Sequence, residues 1–211
     1  MVAYTQFNPY DKDAGQVINA GLGWQTSNPG ACRVYDGQST GKYYFEIIRT
    51  ISSFDYNVGA GLVTHGATYA DMGTGNNGFQ FGEYGPGNQL ILNGTIQWQN
   101  ALANENQNMG FAIDLTDGVF WVSQDVTQAT PVWNNGAGTP YAGTGGLSFG
   151  VLIGQKLYPF VVSTSNNNYT FTGKFGGSTF LIAATTGVPS GYTPGWPGVG
   201  ISPTTQQWMN G

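Results

Sequence analysis

The sequence predicts an all-β protein, an antiparallel two-sheet sandwich, on three observations. Runs rich in β-branched and aromatic residues, several with alternating polarity, recur at close spacing. Turn clusters such as Asn76-Asn77-Gly78, Gly85-Pro86-Gly87 and Asn134-Asn135-Gly136 separate them. No apolar pattern at helical spacing persists for three turns, because glycine, 34 of the 211 residues, interrupts nearly every window. Many short strands at close spacing imply an antiparallel sandwich, and no internal repeat of fixed period is present.

The expected strands, in order, are Val17–Ile18, Tyr43–Arg49, Asn57–Val63, Gly78–Phe81, Gln89–Leu92, Met109–Leu115, Val119–Ser123, Leu147–Ile153, Leu157–Val162 and Tyr169–Phe171. In the second of these, Tyr43, Phe45 and Ile47 share a face. In the third, Val58, Ala60 and Leu62 share a face, and Gly59 and Gly61 leave the other open to close approach by a second layer. Met109–Ser123 is the most informative stretch. Phe111, Ile113 and Leu115 alternate with Gly110, Ala112 and Asp114, the period of a strand with one buried face. Asp117-Gly118 then supplies a hairpin turn, and Val119 to Val122 resume as a strand.

Two long connections, Thr64–Asn77 and Gln124–Gly146, read as functional loops. Composition shifts near Thr185. Residues 1–185 read as the sandwich, and residues 186–211, with Pro189, Pro194, Pro197 and Pro203, as an extended Pro/Gly-rich arm.

Charged residues make up only 8 %, against about a quarter in ordinary globular proteins, and side-chain amides and hydroxyls carry the polarity instead. The net charge of −5 with no basic patch argues against nucleic-acid binding. Cys32 is the single cysteine, which excludes an intrachain disulfide and a thiolate metal site and reads as a small buried hydrophobe. The first residues lack the basic start and apolar run of a secretory signal, and no apolar stretch is long enough to span a bilayer as a helix, so neither export nor a membrane partner is expected.

Four motifs fall in a characteristic order: Gly41-Lys42-Tyr43-Tyr44-Phe45-Glu46-Ile47, Asn57-Val58-Gly59-Ala60-Gly61-Leu62-Val63, the hairpin from Gly110 to Gly118, and Leu157-Tyr158-Pro159-Phe160-Val161. This order resembles the SPRY domain, with Phe45 where that family has Trp and a weaker final motif at Thr172–Gly176. The likeness covers roughly residues 10–185 and implies two bent sheets of the concanavalin-like jelly-roll type, with recognition in loops at one end and no catalysis. The opening Phe7–Lys12 and the close Val188–Pro194 are similar to SPRY-like proteins of tailed bacteriophages. That narrower resemblance implies a virion component, a head decoration, fibre or tail protein.

The residues offer little for catalysis. A retaining glycosidase needs two carboxyl groups about 5 Å apart, and no strand carries such a pair. Glu46 stands alone, Glu83 and Glu105 lack a neighbouring acid, and Asp114 and Asp117 read as turn-capping residues. His65 is the only histidine and reads as a surface loop residue with no link to Cys32 or to a serine. Zinc ligands are too few, and Asp71 with Asn76 and Asn77 is a thin calcium candidate that turn formation explains equally well. Gly73–Gly78 spells a phosphate-loop pattern but leads into a strand, so no nucleotide, cofactor or metal is expected.

Aromatic residues in or beside loops remain as the lead. Tyr69, Asp71, Tyr84, Trp98, Trp133 and Tyr141 are the candidate ligand- or partner-binding residues, since sugar C–H faces stack on aromatic rings and amides and carboxylates bind hydroxyls. Any one ring taken alone reads more readily as packing, while some of the set are expected at an interface. Tyr192, Trp196 and Trp208 are the candidate particle-attachment residues of the arm, which looks unable to bury its tryptophans without a neighbour. The sequence-level expectation is therefore a non-enzymatic virion protein that contacts other capsid or tail proteins and forms a homo-oligomer. The alternative is a lectin-like module that binds host-surface glycan.

Overall fold

The computed structural model describes residues 4–13, 16–19, 23–26, 28–51, 58–84, 87–100, 107–166, 168–176, 180–184 and 186–198. Its strands are β1 (Phe7–Lys12), β2 (Val17–Asn19), β3 (Gly23–Thr26), β4 (Gly30–Val34), β5 (Lys42–Ile51), β6 (Val58–Thr64), β7 (Gly78–Tyr84) and β8 (Gly87–Leu92). They continue as β9 (Thr95–Asn100), β10 (Gln107–Asp114), β11 (Val119–Ser123), β12 (Leu147–Ser148), β13 (Leu157–Ser163), β14 (Tyr169–Lys174) and β15 (Thr193–Pro194), with one short helix, α1 (Tyr69–Thr74). One sheet runs β1-β4-β13-β6-β7-β8-β9 and the other β12-β11-β10-β5-β14-β3-β2, with β15 beside β5. Every pairing but that of β15 is antiparallel, and the two-sheet sandwich expected from the sequence is the architecture found.

The core between the sheets is aromatic. Phe45 stacks on Phe111 at 4.8 Å and Phe79 on Phe120 at 4.1 Å, rings contributed by strands of opposite sheets in the second pair. The hairpin forms as expected. Phe111 pairs with Val122 and Ile113 with Phe120, and the Asp114 carboxylate accepts the backbone N–H of Thr116 and Asp117 at the turn. Lys42 Nζ sits 2.5 Å from Asp114 and 3.1 Å from Asp117, clamping the turn to the start of β5.

Several expectations change. Ala112 is fully buried as well as its inward neighbours, because Val126, Trp133, Phe180 and Ile182 cover the outer face of the second sheet. Much of the Gln124–Gly146 connection is therefore a lid on that sheet. A Cβ at Gly110 would lie 2.3 Å from Val126 Cγ1, so glycine there permits the lid to close down. Gly61 does not admit a second layer; a Cβ there would lie 2.0 Å from the carbonyl oxygen of Phe79 on the paired strand β7. The expected Leu147–Ile153 strand stops after Ser148, where Gly150 at φ 56° turns the chain into a single 3₁₀ turn.

The Thr64–Asn77 connection contains α1. Thr68 Oγ1 accepts the Asp71 N–H while the Asp71 carboxylate accepts the Thr68 N–H, a reciprocal capping box, and Gly75 ends the helix at φ 68°. The helix is too short to form alone and is held by Met72, buried with Ala31, Val63, Ala67, Phe160 and Val162.

The largest correction concerns the C-terminal segment. β14 ends opposite Glu46, and β15 takes the vacated place beside β5, pairing Thr193 with Tyr43. Trp196 is fully buried; its indole N–H donates to Asp36 O at 2.8 Å, and its ring packs at 5.1 Å from Tyr43 and 5.6 Å from Phe45. The sandwich itself buries this ring, and no neighbour is required. Thr5 N–H donates to Trp196 O, so the two ends of the described chain meet. Trp208 lies outside the described residues.

Candidate functional site

β10 defines two poles. At its Asp114 end lie the hairpin turn, Lys42 and the C-terminal segment. At its Gln107 end, the chain leaving β11 folds back, with Val126 N–H donating to Asn108 O at 2.9 Å. Between that returning loop and β9 opens a cleft of about 160 Å³, lined by Trp98, Val122, Gln124, Asp125, Gln128, Val132 and Asn135.

Each wall has a local cause. β9 is the last strand of its sheet, and its half-buried Trp98 packs 5.4 Å from Phe81 of the core. The opposite wall is fixed by Asn134, whose Oδ1 accepts Val122 N–H and whose Nδ2 donates to Phe120 O and Gly145 O. Asn134 and Asn135 hold positive φ, 44° and 55°, a backbone that Asn tolerates better than most residues. On the rim, Asp125 Oδ1 accepts both the N–H and the O–H of Thr127, leaving Oδ2 without a partner among the described residues. The buried indole N–H of Trp98, like that of Trp133, has no acceptor among the described residues.

Of the sequence-nominated residues, Trp98 alone lines this cleft. Tyr69 donates its hydroxyl to Ser163 O and anchors α1 to β13. Asp71 caps α1, and the Thr68 N–H and O–H hold its carboxyl below the usual range. Tyr84 ends β7 opposite Gly87. Trp133 is buried in the lid over Tyr44, at 6.5 Å ring to ring, and offers no platform. Tyr141 is 40 % exposed but spends its hydroxyl on Thr186 and Gly187 O. Tyr192 packs edge-on to Trp121, and burial pushes its phenol up. Gln124, Asp125, Gln128 and Asn135 are not nominated by the sequence, where the polar run Ser123-Gln124-Asp125 directly after a strand is the available signal.

Glu46 and Glu83 serve the framework, while Glu105 lies outside the described residues. Glu46 is fully buried and accepts the Tyr44 hydroxyl and the backbone N–H of Leu181 and Ile182, pinning a 3₁₀ turn (Leu181–Ala184) to the second sheet. Glu83 is buried in an ion pair with Arg49 at 3.0 Å. His65 is exposed against Tyr158, while Cys32 lies buried on β4 with its thiol pushed up by desolvation. Among the described residues, no three His, Cys, Asp or Glu side chains gather as a metal site.

No protein-family model matches the sequence, and none of the curated proteins matches it. The fold has clear relatives among solved structures. The SPRY domain of human HERC1 superposes with a TM-score of 0.61 at 12 % identity, over 79 % of this chain and 96 % of that one. The PSpry domain of TRIM65 gives 0.59 at 14 % identity, over 80 % and 88 %. Stonustoxin gives 0.55 at 10 % identity over 80 % of this chain but 28 % of its own. At these identities the likeness is one of fold: the sandwich is SPRY-like, and the cleft residues are this chain's own.

Proposed function

We propose that this protein is a non-enzymatic recognition module of a tailed-phage virion, a SPRY-like sandwich that contacts other capsid or tail proteins. The observation that supports the non-enzymatic part is the engagement of five of the acids. Glu46, Glu83, Asp71, Asp114 and Asp117 each hold a backbone segment, a turn or a buried cation. A catalytic carboxylate must be free to exchange a proton or attack substrate, and these are committed. The likeness to solved SPRY domains supports a module for binding proteins; the resemblance of Phe7–Lys12 and Val188–Pro194 to phage proteins supports the virion.

In this reading the residues that follow Gly198, Trp208 among them, form the attachment segment, because Tyr192 and Trp196 are occupied within the sandwich. Symmetric display on a particle makes the protein a homo-oligomer. Mass spectrometry of gradient-purified particles tests this. The protein should co-sediment with them, and removal of residues 199–211 should release it while circular dichroism still reports a β fold. Absence from purified particles would refute the virion role.

A second reading is favoured by one observation: Trp98 sits in a cleft beside a carboxylate and several amides, the side-chain set that binds sugars. Under it, the displayed module also binds a glycan of the host surface.

A further inference from the structure

We infer that the cleft between β9 and residues 124–135 is a subsite for a single ring of a neutral saccharide. The inference deepens the glycan reading and rests on it; it is independent of the virion reading.

Size comes first. At about 160 Å³ the cleft is smaller than the roughly 300–1,000 Å³ that takes a drug-sized molecule, so it admits one ring with its neighbours left in solvent. Chemistry narrows the ring. Trp98 and Val132 give apolar surface for the C–H face of a pyranose over the buried Val122, while Gln124, Gln128 and Asn135 bring amide groups that both donate and accept. Sugar hydroxyls have the same dual character. The free Oδ2 of Asp125 offers a charge-assisted acceptor to one of them.

Charge sets the sign. Among the described residues no lysine or arginine lines the cleft, and a carboxylate does, so a sialic or uronic acid would meet repulsion without a counter-ion. The geometry is also prepared in advance. The Val126–Asn108 bond fixes one flank of the loop and the three Asn134 bonds fix the other, so little ordering entropy remains to be lost on binding.

Ligand-observed saturation-transfer NMR on the full chain tests this, with methyl glycosides of glucose, galactose, mannose and N-acetylglucosamine, and N-acetylneuraminic acid as the anionic comparison. At least one neutral glycoside should bind and the acid should not. Asp125→Asn keeps the acceptor that Thr127 uses but loses the charge, and Gln128→Ala changes an exposed position; each should weaken binding about tenfold. Trp98→Ala should abolish it. Should that variant misfold because Trp98 packs on Phe81, the other two still decide. Silence from every neutral glycoside at millimolar concentration would overturn the inference. So would unchanged affinity in Asp125→Asn and Gln128→Ala, or a preference for the acid. A protein that co-sediments with particles yet binds none of these sugars would refute the saccharide subsite and leave the virion role standing.

Discussion

The segment around Trp196 and the cleft around Trp98 each carry one tryptophan at one pole of the same sandwich, and they are built in opposite ways. Trp196 has no exposure, a partner for its indole N–H and rings from β5 on two sides. Trp98 is half-buried, touches one core ring and leaves its indole N–H unanswered. A ring whose polar and apolar needs are both met by its own chain belongs to the framework. A ring that is only half-buried on the wall of an open cleft is available to a ligand. Position near a loop or a chain end distinguishes neither case.

The largest effect expected from this contrast is on stability. Trp196→Ala should cost about 3–5 kcal/mol, the range for deleting a fully buried large aromatic. Trp98→Ala should cost clearly less, since only part of its ring is removed from water. Denaturant titration of both variants checks the order; equal losses would break the comparison. Removing residues 186–211 should unfold or gravely destabilise the protein for the same reason, whereas an independent arm would be dispensable.

Next comes Glu46, which serves the Trp196 side by holding Leu181 and Ile182 over the second sheet. Glu46→Ala leaves two buried N–H groups and the Tyr44 hydroxyl short of an acceptor, and about 2–3 kcal/mol should be lost. Glu46→Gln keeps one acceptor oxygen and should recover part of that loss. A neutral Glu46→Ala would mean that the cover over the second sheet contributes nothing to the fold.

A subtler substitution separates the two tryptophans by mechanism. Replacing indole with phenyl removes the N–H and some volume. At Trp196 this strands Asp36 O and should cost about 1 kcal/mol beyond the packing loss. At Trp98 it removes an unpartnered donor, so the hydrogen-bond contribution is nil or favourable. Trp98→Phe should therefore be the better tolerated by thermal melting, and it should still weaken sugar binding. A reversed order would show that the Trp98 N–H is answered in solution.

What was legible in the sequence divides along the same line. The β10–β11 hairpin is legible because alternation, Asp117-Gly118 and the aromatic run agree, and short-range chemistry decides that element. Five strands, β15 among them, leave no such trace. β4 is buried on both faces and so does not alternate, β1 carries Pro9, β3 is four residues long, and β9 is an amide-rich edge. The Trp196 site is invisible because its wall comes from residues 36, 43 and 45, while proline and glycine around it read as a linker. Half of the candidate site is legible: an aromatic residue between turn signals nominates Trp98, but its companions sit on a loop that only the fold brings across.

The smallest effect concerns two aspartates of similar sequence appearance. Asp71 gives its carboxylate to the α1 cap, and Asp125 commits one oxygen to Thr127 and keeps the other free. The Thr68 bonds depress the Asp71 carboxyl, so its ionised form stabilises the folded state. The group binds its proton less readily when folded than when unfolded. Its contribution is therefore complete above the ordinary carboxylate value of about 4 and disappears as pH falls through the lower folded value. Asp71→Asn should cost about 0.5–1 kcal/mol at neutral pH, the scale of a helix cap, and the gap from the parent protein should close as pH falls below about 4. Asp125→Asn should change stability by less than about 0.5 kcal/mol at any pH, because the Thr127 turn survives and the site is on the surface. Paired melting curves between pH 3 and 7 measure both. A pH-independent cost at Asp71 would mean that its charge does not act through the cap, and a marked stability loss at Asp125 would move that residue from the binding surface to the framework.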